Sequence, residues 1–222
     1  WRVIYGDGTA LVQGFSINMM IWYLVMTESI VVAPRKILEE IGDEIVSGDI
    51  AQRLNKPYNY ILFKYATSSS STFLRFATTF IVGAIVTTIF VGGIEVNLLH
   101  LPMIILSVFL ALTLHFLFMA LLGVFAFWIE DAKAMHFVYQ KFVFVLGGML
   151  LPLEIFPSWL ENISKVLPFS YIAYHPAKLW VMFSWSRALE VIVTQLGWII
   201  VFIVLITVVY KICIRRISIN GG

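Results

Sequence analysis

Apolar residues in this chain run in long blocks separated by short polar stretches, and block length is the first clue to the fold. Crossing a hydrocarbon core of about 30 Å at about 1.5 Å per residue takes about 20 apolar residues. Five blocks are candidates: residues 10–32, 73–93, 101–128, 134–151 and 189–213. In the fourth, only 142–151 is purely apolar, so it spans only if Gln140 and Lys141 lie at the interface with the lysine snorkelling to water. The pattern predicts an all-α, polytopic helical membrane protein, with residues 1–222 forming one transmembrane domain.

Three segments break the pattern. In 34–57, Ile37, Leu38, Ile41 and Ile45 recur at helical spacing while Glu39, Glu40, Asp43 and Glu44 fill the opposite face. That spacing predicts a short amphipathic helix ended by Ser47-Gly48. Asp49 with Gln52 resembles a capping box for a second short turn, which Pro57 stops. A solvated helix lying on the membrane and a docking helix for a partner both fit. The four carboxylates favour docking, because a membrane-surface helix carries Lys and Arg to suit anionic lipid. Next, Tyr58, Ile61, Leu62 and Tyr65 form an apolar stripe before the serines at 68–71, which predicts an interfacial helix leading into the next span, with the serines serving small-residue helix packing or capping. The third segment, 153–186, together with Pro152 just before it, holds Pro152, Pro157, Pro168 and Pro176, four of the seven prolines. Its two apolar pieces are too short to cross, and Ser158 with Glu161 reads as a capping box opening the first. A re-entrant hairpin and an aromatic belt of Trp159, Tyr171, Tyr174, Trp180 and Trp185 are compatible accounts of it.

Composition agrees: 60% of residues are hydrophobic and 13% charged, so lipid is the solvent for most of the chain. A soluble enzyme and a disordered regulator are thereby excluded. A net charge of +2, with no Lys/Arg run outside membrane-flanking segments, excludes a nucleic-acid binder. With 34–72, the turn at 130–133 and the tail from Lys211 placed inside, and Arg75 and Lys141 in the adjoining spans counted with them, eleven of the fifteen Lys/Arg residues fall on the cytoplasmic side and four outside. That bias puts the C-terminus in the cytoplasm and Trp1 outside. Five visible spans then imply a sixth upstream of Trp1. The single cysteine, Cys213, forms no internal disulfide.

Catalytic and nucleotide-binding patterns are missing. The sequence has no G-x-x-x-x-G-K-[ST], H-E-x-x-H or G-x-S-x-G, and His100, His115, His136 and His175 have no second ligand at metal spacing. His115 sits near the middle of its span and must face protein or a cavity. On a helical wheel Gln13, Ser16, Thr27 and Glu28 share an arc of roughly 120°. Such a stripe serves helix packing or a translocation path, packing being the commoner use.

One run, Gly147-Gly148-Met149-Leu150-Leu151-Pro152-Leu153-Glu154-Ile155-Phe156-Pro157-Ser158-Trp159-Leu160, is followed by Leu167-Pro168-Phe169-Ser170-Tyr171. It resembles the external hairpin of type-2 permease subunits of ATP-binding-cassette exporters. Glu40-Ile41 with Ser47-Gly48-Asp49-Ile50 through Leu54 and Pro57, Phe127-Trp128 with Glu130, and Arg215-Arg216 near Gly221-Gly222 look like one bacterial branch of that family. The resemblance implies a permease in a bacterial inner membrane, paired with a second permease as homodimer or heterodimer. It also implies a separate ATPase subunit that binds ATP and magnesium, with no cofactor on this chain and no catalysis by it. By the same resemblance Glu39, Glu40, Asp43, Glu44, Asp49, Arg53, Glu130 and Asp131 form the ATPase-coupling interface. Pro152, Phe156, Pro157, Trp159, Pro168 and Tyr171 form the external gate. A passive channel or scaffold without an ATPase, and an intramembrane enzyme, are the rival classes. The substrate is open, although eighteen Phe residues suit an amphiphile entering from the bilayer.

Overall fold

The computed structural model describes residues 11–34, 36–54, 56–128 and 132–220, without the side chains of 51, 54, 127 and 213–220. Among these residues the fold is helical throughout. The helices are α1 (Ile17–Val32), α2 (Ile37–Val46), α3 (Asp49–Leu54), α4 (Tyr60–Phe90), α5 (Leu101–Val124), α6 (Ala132–Leu146), α7 (Ser158–Val166), α8 (Pro168–Ile172), α9 (Tyr174–Val181) and α10 (Trp185–Asn220). Short 3₁₀ turns follow α5 at Phe125–Phe127 and precede α7 at Leu153–Ile155.

Four stretches are long and apolar enough to cross a membrane: Ile17–Val46, Tyr60–Phe90, Leu101–Val124 and Trp185–Ile212. α5 is the central element. In its most apolar window 72% of residues are buried, against 6% in α4, which stands at the edge. α10 packs along α5, α4 runs beside α1, and α9 wedges against α1.

Local chemistry corrects several sequence expectations. α1 starts at Ile17 rather than near residue 10, because Ser16 caps it by accepting the Met19 N–H at 3.2 Å. The expected span at 134–151 is a helix of 15 residues, about 22 Å long, that stops at Leu146. Gly148 follows with φ +65°, a left-handed conformation that glycine adopts without strain. The interfacial helix and the span it leads into are one element, since α4 runs unbroken through the serines. Hydroxyls there bond back along the helix, Ser68 and Ser69 to the Tyr65 carbonyl at 3.2 and 2.5 Å and Ser71 to that of Ser68 at 2.9 Å. Neither expected capping box forms. Asp49 and Ser158 are the first helical residues, Asp49 donating its N–H to Ser47 Oγ at 3.4 Å, and Pro157 stands at the cap before Ser158.

Candidate functional site

The amphipathic segment folds as its spacing predicts. α2 buries Ile37, Leu38 and Ile41 against the end of α5, its 3₁₀ extension and α6, and α3 adds Ile50. Glu39 and Glu40 occupy the first turn of α2, where the helix dipole favours negative charge. Glycines allow the contact. A Cβ on Gly123 would lie 2.9 Å from Ile41 Cβ, and one on Gly42 would lie 2.5 Å from Ala132 Cβ.

The carboxylates of α2 are largely engaged within the chain. Glu44 lies 2.8 Å from Lys64 Nζ and 3.0 Å from Arg53, and it accepts the Tyr60 hydroxyl at 2.6 Å. Lys64 also reaches Glu40 at 3.5 Å. Glu39 sits 2.7 Å from His136 Nδ1 and 3.4 Å from Lys36. Gln140 is 3.3 Å from the other ring nitrogen, so His136 protonated at Nδ1 would donate to Glu39 and accept from Gln140. Asp43 and Asp49 point to solvent beside Val46, which is 64% exposed. The free acidic surface is therefore smaller than four carboxylates on one face suggested. Glu130 and Asp131, expected as a second contact, lie outside the described residues.

At the opposite end the chain breaks after α6 and turns back into the bundle. Exposed carbonyls at that depth need donors, and α1 supplies two from successive turns. Tyr23 donates its hydroxyl to the Gly148 carbonyl, and Thr27 donates to that of Met149 at 2.8 Å. The Tyr174 N–H donates to the Gly147 carbonyl at 3.0 Å. Gly147 is required, as a Cβ there would sit 2.2 Å from the Val143 oxygen. α8 and α9 are then buried through Phe169, Tyr171, Ile172 and Tyr174. Gln195 of α10, fully buried, donates to the carbonyls of Tyr171 at 2.9 Å and Ser107 at 3.1 Å, tying α8, α5 and α10 together. A Glu154–Tyr174–Lys178 cluster closes the turn. Tyr174 donates to Glu154 at 2.6 Å, and Lys178 donates to both. Burial works to raise the Glu154 pKa, but the Lys178 and Tyr174 hydrogen bonds outweigh it and hold the carboxyl below its ordinary range.

Of the residues expected at the gate, Pro152, Pro168 and Tyr171 are buried in the bundle, and Phe156 is half-buried against it. Pro157 and Trp159 face outward, Trp159 at 64% exposure, as an aromatic belt requires. Tyr171 and Tyr174 belong instead to the core. Tyr23, Glu154, Lys178 and Gln195 were not singled out from the sequence. Gln195, a lone amide within an apolar span, carried a signal that could have found it.

The expected cavity stripe divides. Gln13 precedes α1 with φ +52° and is exposed, so it never joins the helical wheel. Ser16 is the cap and Thr27 clamps the break, both packing roles. Glu28 lines a hollow of about 450 Å³, and His115 a neighbouring one of about 410 Å³. A third, of about 580 Å³, opens between α4, α5 and α10 beside Leu62, Tyr65, Phe116, Ile203 and Tyr210.

A family model described as ABC-2 family transporter protein matches residues 1–221. The chain belongs to that family. No curated protein and no solved structure matches it. As an ABC-2 family member it is a multi-pass permease subunit of an ABC transporter, and the family implies an ATPase partner. Permeases of this family are generally non-catalytic.

Proposed function

We propose that this permease exports an amphiphilic substrate across a bacterial inner membrane, driven by ATP hydrolysed on a separate ATPase subunit. ATP and magnesium bind to that subunit, and two permeases enclose the path as a homodimer or a heterodimer. The C-terminus and α2 are cytoplasmic. The observation that carries this reading is the docking of α2 and α3, which bury their apolar residues in the bundle and turn Asp43 and Val46 of α2 and Asp49 of α3 outward.

A displacement applied to α2 passes to α5 through the Ile41–Gly123 contact and to α4 through Glu44–Lys64. From α5 it reaches α8 and α10 through Ser107 and Gln195, and α8 adjoins the break that α1 clamps. The hairpin thereby opens or closes in step with the ATPase. Asp43 and Asp49 are the acidic contacts to a basic groove on the partner, and Glu39, Glu40, Glu44 and Arg53 stiffen the lever behind them. The test is purification of the tagged permease with its ATPase, followed by ATP hydrolysis in lipid vesicles. Charge reversal of Asp43 and Asp49 together should weaken the complex by about one to two orders of magnitude, each factor of ten being about 1.4 kcal/mol. An intact complex and unchanged hydrolysis in that variant would refute coupling through this face.

A further inference from the structure

Two of the hollows are neighbours, for they share Phe144 and Met149 on their walls. The one of about 410 Å³ lies among α1, α4, α5 and α6 and is lined by Lys36, Arg75 and Lys141 together with His115, Tyr139 and Gln140. The other, of about 450 Å³, is walled mainly by Ile21, Leu24, Val25, Phe144 and Leu150, with Glu28 the one carboxylate among the described residues that lines either hollow. The first is cationic and rich in donors, the second a greasy slot.

Two buried polar atoms on the first hollow are unsatisfied. His115 and Tyr139 are 3% and 2% exposed, and neither His115 Nδ1 nor the Tyr139 hydroxyl has a hydrogen-bond partner among the described residues. Buried polar groups are rarely left so, and both residues line the hollow beside which a ligand's polar atoms would settle. Arg75 makes no ion pair among the described residues, nor does Lys141, whose ammonium lies 4.8 Å from the Phe137 ring centre. Lys36 keeps a long 3.4 Å contact with Glu39. Arg75 and Lys141, both exposed, line the space together with Tyr139, so a guanidinium, an ammonium and a phenol border a site for one acceptor-rich anion. Phosphate has that chemistry, and the guanidinium fork fits it. A free anion would need only the first hollow. The adjoining slot adds room for an apolar chain.

We propose that the paired hollows bind an anionic amphiphile from the cytoplasmic leaflet, its phosphate-bearing headgroup among Arg75, Lys141, His115 and Tyr139 and its acyl chain along α1 toward Leu150. This rests on the exporter reading only for the site's role as the cargo's entry point. Binding itself is tested on the permease alone, in phosphatidylcholine nanodiscs carrying a trace of photoreactive phosphatidic acid or, separately, photoreactive phosphatidylcholine. Labelling by phosphatidic acid should exceed that by phosphatidylcholine about tenfold, with crosslinks on α1 and on 142–151. The Arg75→Gln/Lys141→Gln variant should lose that excess, tenfold being the loss expected from removing a charge-assisted contact. Tyr139→Phe removes an unpaired hydroxyl without hurting the fold, and it should lower labelling too. Lys56→Gln/Lys133→Gln, which removes two exposed cations from the same end, should leave labelling unchanged. Equal labelling by the two lipids, or equal loss in the Lys56/Lys133 variant, would overturn the site. Displacement of the lipid by excess inorganic phosphate would show a free-anion site and overturn the amphiphile. None of these outcomes depends on the ATPase, so they stand apart from the failure or success of the exporter reading.

Discussion

Replacing Lys64 by Met should loosen α2 from the bundle by an amount that can be worked out from its contacts. The Lys64 side chain is 8% exposed and that of Glu44 is 13%, so both ions are largely removed from water. Removing one member of such a pair costs about 3–5 kcal/mol when the other is left alone. Glu44 is not left alone, since it retains Arg53 at 3.0 Å and the Tyr60 hydroxyl at 2.6 Å. The expected loss is therefore smaller, about 2–3 kcal/mol, in the range of one charged hydrogen bond. If it falls on docking rather than global unfolding, the undocked population of α2 rises about 30- to 140-fold, at about 1.4 kcal/mol per factor of ten.

Amide hydrogen exchange of the purified protein reads that population directly, because exchange through local opening scales with it. Protection within α2 should fall by the stated factor while the centre of α5 keeps its own. Glu44→Gln should do less harm, since Lys64 keeps Glu40 at 3.5 Å. The double variant should lose less than the sum of the singles, as coupled partners do. Asp43→Asn, at an exposed position, should leave protection untouched. Unchanged protection of α2 in Lys64→Met would refute the clamp and leave the apolar face as the sole anchor.

Three further outcomes follow from the same contacts. Gly123→Ala places a methyl 2.9 Å from Ile41 Cβ and should lower thermal stability by about 1–3 kcal/mol, with faster proteolysis of α2 as the local readout. Gln195→Leu leaves the buried Tyr171 and Ser107 carbonyls without this donor and should cost about 1–3 kcal/mol per group left unpaired, measured by thermal melting in detergent. Because the Glu154 pKa is lowered in the fold, its stabilisation is complete above the ordinary value of about 4.3 and is lost as pH falls through the folded value. Trp fluorescence of the hairpin should therefore report loosening only below about pH 4.3, and Glu154→Gln should remove that transition.

The parts of the fold legible in the sequence were those set by local periodicity and backbone restriction. α2 was visible because Ile37, Leu38 and Ile41 repeat at helical spacing, and the hairpin was visible because Pro152, Pro157, Pro168 and Pro176 cut its apolar stretch into pieces too short to cross. The fourth span was misjudged for the same local reason. Apolar residues continue to Leu151, but hydropathy does not register that Gly147 and Gly148 end the helix. The serines at 68–71 sit inside a helix despite their polarity, because their hydroxyls bond back to carbonyls of the same helix. Long-range pairing was out of reach. Glu44 finds Lys64 twenty residues on and Glu39 finds His136 ninety-seven residues on, separations that no periodicity encodes.

Internal pairing also changes what the acidic helix means mechanically. Four free carboxylates would make a soft contact, with a large share of any docking energy spent on ordering side chains. Tying Glu39 and Glu44 to α6 and α4 orders them beforehand, so a push on Asp43 or Asp49 meets a helix already fastened to separate elements. The same ties make the contact selective in a way that charge alone is not. A basic groove that fits Asp43 and Val46 on a fastened helix and Asp49 at the start of the next must match their spacing, whereas loose carboxylates would accept any cationic surface. Restoring a free acid elsewhere on α2 should then fail to rescue Asp43→Asn, although the net charge of the helix would be restored.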